Sequence, residues 1–381
     1  QEDCNYPYKE LCGCGVGFKL IQALAEKQGQ TVYDLVEYLD LVVTAIAADI
    51  VPITGENRVL AHFGLKVINQ SPRTGIKTIL QQVNKDEFTI TDIVFIIAPR
   101  INAAGRMKHG NHAVTLLTET DFNDAAVYAT EIEQYNTERR DTDRRISDEA
   151  LQQIEDLEEQ ERFSTVVYDE NWHKGVVGIV ASRLTETYYR PTVVFTKSGD
   201  GLLAASARSV RGFDVYNALD ACSEFIEQFG GHKYAAGLTI KEENYLAFKS
   251  KFEEVVEATI DRSLLTPELK IDFKINLENV TSKLYRIIKQ FAPFGPGNMT
   301  PILMSEAVKD TGFGKCVGEN DKHLKVTITQ NSTNKLSCIG FGLGKKYHIV
   351  SNRKPFNVAY SIDENHWNGK ISLQLKLRDV Q

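Results

Sequence analysis

Residues 230–237, Gly-Gly-His-Lys-Tyr-Ala-Ala-Gly, hold three glycines and a histidine within eight positions. Such a segment makes a poor core and a good anion site. Gly230 and Gly231 permit positive φ and let a ligand approach the backbone with no Cβ in the way. His232 can donate to an anionic oxygen, while Ala235, Ala236 and Gly237 keep the following segment thin enough to pack closely. The alternative is a plain tight turn between Phe229 and the apolar Leu238-Thr239-Ile240.

Two further stretches carry the same chemistry. Pro99-Arg100-Ile101-Asn102-Ala103-Ala104-Gly105-Arg106 follows the apolar run Ile93–Ala98 and sets two arginines six positions apart. It reads as an apolar segment presenting both guanidiniums through an Asn-Ala-Ala-Gly turn, and guanidinium forks match phosphate or carboxylate oxygens. One arginine could instead pair with an acid such as Asp121 and serve the structure. Ser206-Ala207-Arg208-Ser209 follows the apolar Gly201–Ala205; in a strand Ser206 and Arg208 share a face, so a hydroxyl and a guanidinium can hold one phosphate. Strand Thr165–Asp169, the Trp172-His173-Lys174-Gly175 turn and a helix from Val176 offer an anion site at a helix N-terminus, unless Trp172 merely packs the turn.

Hydrophobic spacing organises the rest. It predicts helices over Leu11–Gly29, Val32–Ile50, Asn57–Asn69 and Gly75–Val83, then a long charged helix from about Asp121 to Glu161. Strands Ser164–Tyr168, Pro191–Thr196 and Leu202–Ala207 alternate with helices Gly175–Tyr188, Asp214–Ile226 and Glu242–Ile260, which argues for an α/β domain. After strand Leu269–Ile275 and helix Ser282–Phe291 come alternating runs at 324–329, 335–341, 356–362 and 371–377. Short strands at that spacing suit a small antiparallel barrel of the OB type, which binds single strands with a basic groove and stacked aromatics. Tyr347, Tyr360 and Trp367 are stacking candidates, with core or turn packing as the alternative for each.

Composition adds bounds. With 381 residues and 42% apolar content the chain can bury two or three cores. Cys4, Cys12, Cys14, Cys222, Cys316 and Cys338 form no metal-type double pair and read as cytosolic thiols. No apolar run reaches the ~20 residues of a membrane span. The formal charge of −7 is concentrated in acids such as Asp148, Glu149, Glu155, Asp156, Glu158, Glu159 and Glu161, expected on a solvated helix face. Between Lys309 and Arg378 bases, among them Lys315, Lys325, Lys335, Arg353 and Lys376, outnumber acids. Nucleic-acid binding depends on such local neutralisation rather than on global charge.

In this order the arginine block, Asn171–Leu184, Ser206–Ser209 and Gly230–Gly237 resemble the RecJ family of the DHH phosphoesterase superfamily, which are single-strand-specific 5′→3′ DNA exonucleases. Pro7–Phe18 fits the same family, Leu41–Arg58 resembles the last metal-binding motif of its DHH domain, and Phe291–Asn298 the entry to its OB domain. The resemblance implies an α/β multidomain chain: 1–120 the C-terminal part of a DHH catalytic domain, 121–162 a connecting helix, 163–264 a DHHA1 substrate-binding domain and 265–381 an OB-fold domain. It further implies two Mn²⁺ or Mg²⁺ ions with Asp49 as one ligand, and phosphate binding by Arg100, Arg106, Ser206, Arg208, His232 and His173. Asp49 could alternatively be a helix C-terminal acid bonded to Asn57 or Arg58. Single-stranded DNA is the implied partner, in a cytoplasmic protein of DNA repair and recombination. A single-strand-binding protein and a helicase are compatible partners that the residues themselves do not name.

One departure is large. The superfamily's metal centre uses Asp-x-Asp, a further Asp, Asp-His-His and a final Asp, and this chain has no His-His pair. Asp141-Thr142-Asp143 sits in a charged helical run where i and i+2 diverge, so these acids read as solvated face. With Gln1 first and Met107 the first methionine, the expectation is a piece of a longer enzyme, inactive alone. A DHH-type phosphodiesterase of oligonucleotides or cyclic dinucleotides and a non-catalytic single-strand-binding module are the alternatives.

Overall fold

The computed structural model describes residues 4–331, 334–352, 354–367 and 369–381, without the side chains of His366 and Trp367. Gln1, Arg353 and the Trp367 ring thus lie outside the described residues. Among the described residues eight α-helices precede the first strand, with a 3-10 helix at Val32–Tyr38 and a π-helical turn at Ile93–Ile97 between them: α1 (Gly13–Lys27), α2 (Leu39–Ala48), α3 (Gly55–Gln70), α4 (Thr74–Leu80), α5 (Ile90–Asp92), α6 (Ala98–Met107), α7 (Asn111–Thr118) and α8 (Phe122–Asp156). An α/β stretch follows, with β1 (Thr165–Tyr168), α9 (Val177–Tyr188), β2 (Thr192–Lys197), β3 (Leu202–Arg208), α10 (Val215–Asp220), β4 (Ile226–His232), β5 (Ala235–Lys241) and α11 (Tyr245–Thr259). The remainder holds β6 (Phe273–Lys274), α12 (Ser282–Lys289), β7 (Leu303–Asp310), β8 (Lys315–Val317), β9 (His323–Gln330), β10 (Asn334–Gly340), α13 (Tyr347–Ser351), β11 (Phe356–Trp367) and β12 (Lys370–Val380). Among the described residues no helix is long and apolar enough to cross a membrane.

Contacts divide the chain into two compact units, Gln1–Pro72 with Lys85–Phe95 and Leu269–Gln381, and Arg73–Asn84 with Ile96–Glu268. The span 1–120, expected as one piece, is shared between them. The expected connector, α8, lies wholly inside the second unit. Asp121, weighed as an arginine partner, instead caps α8 by accepting from the N–H groups of Asn123 (2.8 Å) and Asp124 (3.0 Å).

In the first unit β7, β9, β10, β12 and β11 close a barrel, because β7 pairs with both β11 and β9. All of these pairs are antiparallel except β10–β12, so the antiparallel expectation holds with one parallel exception. Leu324, Val326, Ile328, Cys338, Val358, Tyr360 and Leu375 fill the interior. Strand β7 escaped the pattern because its alternation slips at Ala307, which sits at φ 53° beside a register shift against β11. Tyr360 is fully buried, so it is core and not a stacking ring. Ser305 Oγ donates to the Ile275 carbonyl at 2.6 Å and lies 2.8 Å from Tyr360 Oη, which leaves the tyrosine as donor in that pair. Tyr347 is half-buried against the same core.

The second unit is built on the sheet β1-β2-β3-β5-β4, with β1–β2 parallel and the other pairs antiparallel. One face packs Val193, Phe195, Leu203, Ala205 and Leu238 against α10 and α11. The other packs Val167 and Val194 against Ile146 and Ile154 of α8 and Val177, Val180 and Leu184 of α9. Four expectations need correction here. Helix Asp214–Ile226 stops at Asp220, and residues 226–232 form an edge strand, so Gly230, Gly231 and His232 lie in β4 rather than in a turn. Asn102–Gly105 is not a turn either, but the body of α6. Asp143 is buried, bonded to Arg183 Nη2 at 2.7 Å, whereas Asp141 is exposed as expected. Glu159 is likewise buried, paired with Lys249 at 2.8 Å.

Replacing Tyr360 by Phe should cost about 1 kcal/mol in urea unfolding, the net value of one buried hydrogen bond. Unchanged stability would show that the Ser305–Tyr360 hydroxyl pair does not hold the barrel core.

Candidate anion-binding site

The site forms where α6, the start of α9 and strands β3, β5 and β4 of the second unit converge. Strand register brings the sequence motifs together. Ser206 pairs with Gly237, which pairs with Gly230; Arg208 pairs with Ala235, which pairs with His232. Directly opposed residues share a face, so Ser206, Arg208, Ala235, Gly237, Gly230 and His232 all lie on the α9 side of the sheet. Helix α9 covers β2 and β3, whereas Gly237 on β5 and Gln228, Gly230 and His232 on β4 stay exposed.

The glycines have separable reasons. Gly231 has φ +151°, and a Cβ there would meet Ala235 O at 2.4 Å, so it is required by the chain itself. Gly230 lacks positive φ, and a Cβ on it would meet nothing. At Gly237 the nearest atom would be 3.8 Å away. Neither is demanded by packing; together they leave a bare floor of backbone beside Ser206 and Arg208.

Helix α9 supplies the opposite wall by close approach. A Cβ on Gly178 would stand 3.1 Å from both Arg208 Nη2 and Ser206 Oγ. A Cβ on Gly175 would stand 2.2 Å from the backbone oxygen of Arg106. Arg106 Nη1 donates to the Gly175 carbonyl at 3.1 Å, tying α6 to the turn before α9. Arg208 Nη1 donates to Ser206 Oγ at 2.8 Å and to the Ala207 carbonyl at 2.7 Å. Burial first, and then repulsion from Arg106, hold the Arg208 guanidinium below its ordinary pKa. The two guanidiniums therefore lie near each other, and among the described interactions neither bonds a carboxylate.

The histidines flank this pair. His173 is exposed, and its Nδ1 accepts the Gly175 N–H at 3.1 Å. His232 Nδ1 accepts the Tyr234 N–H at 3.4 Å. In the neutral ring each arrangement leaves Nε2 as the outward donor. His232 stands two strands from Arg208, about 10 Å away by ordinary strand spacing, so it serves the far side of the floor.

Arg100 does not join them. Its Nε lies 2.6 Å from Glu133 Oε2 and its Nη1 donates to the Ile96 carbonyl at 2.7 Å, so the guanidinium is already engaged. The acid is Glu133 rather than Asp121. Asp49 belongs to the other unit, exposed at the C-terminal cap of α2. Neither suggested alternative partner takes it: Asn57 Nδ2 donates to the carbonyls of Glu10 and Pro52, and Arg58 Nη2 to that of Phe291. The loop after Asp49 is held by the Phe294–Asn298 turn, where Ile53 N–H donates to Pro296 O at 2.6 Å and Gly295 leaves room for the Ile53 side chain. Among the described residues no group of three or more His, Cys, Asp or Glu could hold a metal ion. One carboxylate is not a metal site, so these residues alone do not fit a two-ion centre.

Fold and site together define a class: a DHHA1 domain, matched over residues 162–258, joined in one chain to a RecJ OB domain, matched over residues 271–379. The chain is 33% identical over its whole length to the "single-stranded-DNA-specific exonuclease RecJ" of Bacillus subtilis, of which it spans 48%. It is 32% identical over 99% of its length to the protein of the same name in Escherichia coli, of which it covers 68%. Crystalline RecJ from Thermus thermophilus in complex with Mg²⁺ matches with a TM-score of 0.84 and 26% identity, over 99% of this chain and 57% of that one. The chain belongs to the RecJ family.

Alanine at Gly175 must displace the α6 backbone and should lower stability by about 1–3 kcal/mol. Alanine at Gly178 meets only side-chain ends and gains helix propensity of up to about 1 kcal/mol. The Gly178→Ala protein should thus fold normally yet bind inorganic phosphate less well in calorimetric titration; unchanged affinity would show that the close approach does not build the site.

Proposed function

We propose that this chain binds the 5′-phosphorylated end of single-stranded DNA, as the end-binding part of a 5′→3′ exonuclease of DNA repair and recombination. The observation carrying this reading is that Arg106 acts on the charge of Arg208 beside Ser206 and a bare glycine floor, with no carboxylate bonded to either guanidinium among the described interactions. A terminal phosphate carries up to two charges and several acceptor oxygens, and it would offset both the burial and the mutual repulsion of the arginines. Ser206, the N-terminal turn of α9 and the outward Nε2 groups of His173 and His232 would complete the donors. The floor suits a single strand, because a Cβ on Gly230 would meet nothing within 4 Å and one on Gly237 would meet only the Ala205 carbonyl at 3.8 Å, so a ligand can lie against backbone.

Cleavage belongs to the same proposal. The Thermus thermophilus proteins of similar fold were crystallised with Mg²⁺ and with Mn²⁺, and such ions polarise a phosphoryl oxygen and activate water. Asp49 would give one oxygen ligand. Since the described residues supply no further metal-binding group around it, this chain alone is expected to bind DNA ends and to cleave little or not at all. The reading includes the cytoplasm as location: the six cysteines are free, which suits a reducing compartment. A small-nucleotide phosphodiesterase would leave the OB domain at residues 271–379 unexplained.

Fluorescence anisotropy tests this with labelled single strands bearing 5′-phosphate or 5′-hydroxyl, and with duplex. The phosphorylated single strand should bind best. Arg208→Ala should weaken it by about 10–100-fold, since hydrogen bonds to charged groups are worth about 1.5–3 kcal/mol. Equal affinity for the two ends, or an unaffected variant, would refute the reading.

A further inference from the structure

The hairpin from β4 to β5 turns on Lys233 and Tyr234, and neighbouring segments hold that turn by its backbone. Val215 N–H, at the start of α10, donates to the Lys233 carbonyl at 3.0 Å. Ser209 N–H donates to the Tyr234 carbonyl at 3.1 Å. The Tyr234 N–H donates in turn to His232 Nδ1 at 3.4 Å. Both backbone polar groups of Tyr234 are thus engaged, one by the residue after Arg208 and the other by His232.

The ring of Tyr234 is not used by this packing. It is 43% exposed, whereas Phe225, Phe229 and Tyr245 pack against the core under α10 and α11. Phe229 also meets the Tyr216 ring, with centroids 5.1 Å apart. Among the described ring contacts Tyr234 has one, Lys233 Nζ at 5.7 Å from its centroid, near the limit for a cation over a ring. A single exposed aromatic is ordinary on a protein surface; the position of this one is not. Tyr234 precedes Ala235, the direct cross-strand partner of Arg208, and directly opposed Cβ atoms stand about 5 Å apart. The ring is therefore carried at the end of the row formed by Arg208, Ala235 and His232.

Resting on the end-binding reading above, we propose that Tyr234 is the stacking surface for the base of the 5′-terminal nucleotide, whose phosphate that reading gives to Arg106 and Arg208. One sugar alone separates this base from the phosphate, so the base comes to rest beside the Arg208 row. The floor at Gly230 and Gly237 offers it no side chain, and the hairpin holds an exposed ring at the end of that row. The base turns to the hairpin tip while the 3′ side of the sugar continues over the floor. Stacking accepts every base, because each has a π-face. A tyrosine on an anchored turn has only two side-chain angles to fix on binding, which keeps the entropic cost low.

The test compares 5′-phosphorylated trithymidylate with the same ligand carrying an abasic tetrahydrofuran in place of its first nucleoside. Both keep the terminal phosphate and the two following bases. Titrations use the whole chain, as wild type, Tyr234→Ala and Tyr234→Phe, with thermal unfolding as the control for folding. The wild type should bind the base-bearing ligand about 5–100-fold more tightly than the abasic one, the range of one base–aromatic stack. Tyr234→Ala should lose this preference and bind the abasic ligand as the wild type does, whereas Tyr234→Phe should keep it. A wild type without the preference would overturn the proposal. So would a Tyr234→Ala protein that retains it, including one in which both affinities fall equally because the hairpin is weakened. The abasic ligand still carries the phosphate, so its binding reports on the end-binding reading alone. If the wild type binds neither ligand, that reading fails and this proposal falls with it.

Discussion

The site depends on how closely the start of α9 lies to its neighbours. At Gly175 a single added carbon would stand 2.2 Å from the Arg106 backbone oxygen, and at Gly178 it would stand 3.1 Å from the Arg208 and Ser206 side chains. Real Cβ atoms do not sit at the first distance. Two glycines three residues apart therefore let α6 and β3 come close to the start of α9, near enough for Arg106 to act on the charge of Arg208. Arg106 arrives from a helix and Arg208 from a strand, and neither element could deliver both.

Electrostatics follows from that geometry. Proteins rarely gather guanidiniums around so few carboxylates unless something else supplies the negative charge. Here Asp143 is used by Arg183 and Glu133 by Arg100 and Arg140. The formal charge of −7 does not conflict, because the acids that produce it are spread along exposed parts of α8 and over the rest of the surface. Local excess decides binding of a polyanion, and it is carried here by side chains whose neighbours are mostly of like sign.

Much of this was legible in the sequence, and the failures have physical causes. Ser206 and Arg208 were placed on one face by strand alternation alone, and register then set Gly237 and Gly230 beside them. Arg100 and Arg106 looked equivalent only while the stretch between them was read as a turn. On a helix six residues span about 240° net, so the two cannot face one ligand, and Arg100 turns to Glu133. Tyr360 stayed open between stacking and core packing because alternation does not say which face is inside; its hydroxyl, bonded to Ser305, lets a polar ring fill the barrel. Asp143 was read with Asp141 as solvated face because the run is charged, and only the packing of α8 against α6 and α9 puts Asp143 inside. Gly175 and Gly178 stood in plain view within the quoted motif, yet their role needs a neighbour in space that no spacing rule supplies.

The most direct test of the account is a crystal structure of this chain with a 5′-phosphorylated trithymidylate. The account predicts the terminal phosphate between the Arg106 and Arg208 guanidiniums, accepting from Ser206 Oγ and facing the first turn of α9, with the strand over Gly237 and Gly230. A terminal phosphate bound elsewhere, with Arg106 and Arg208 turned to solvent or to carboxylates, would contradict it.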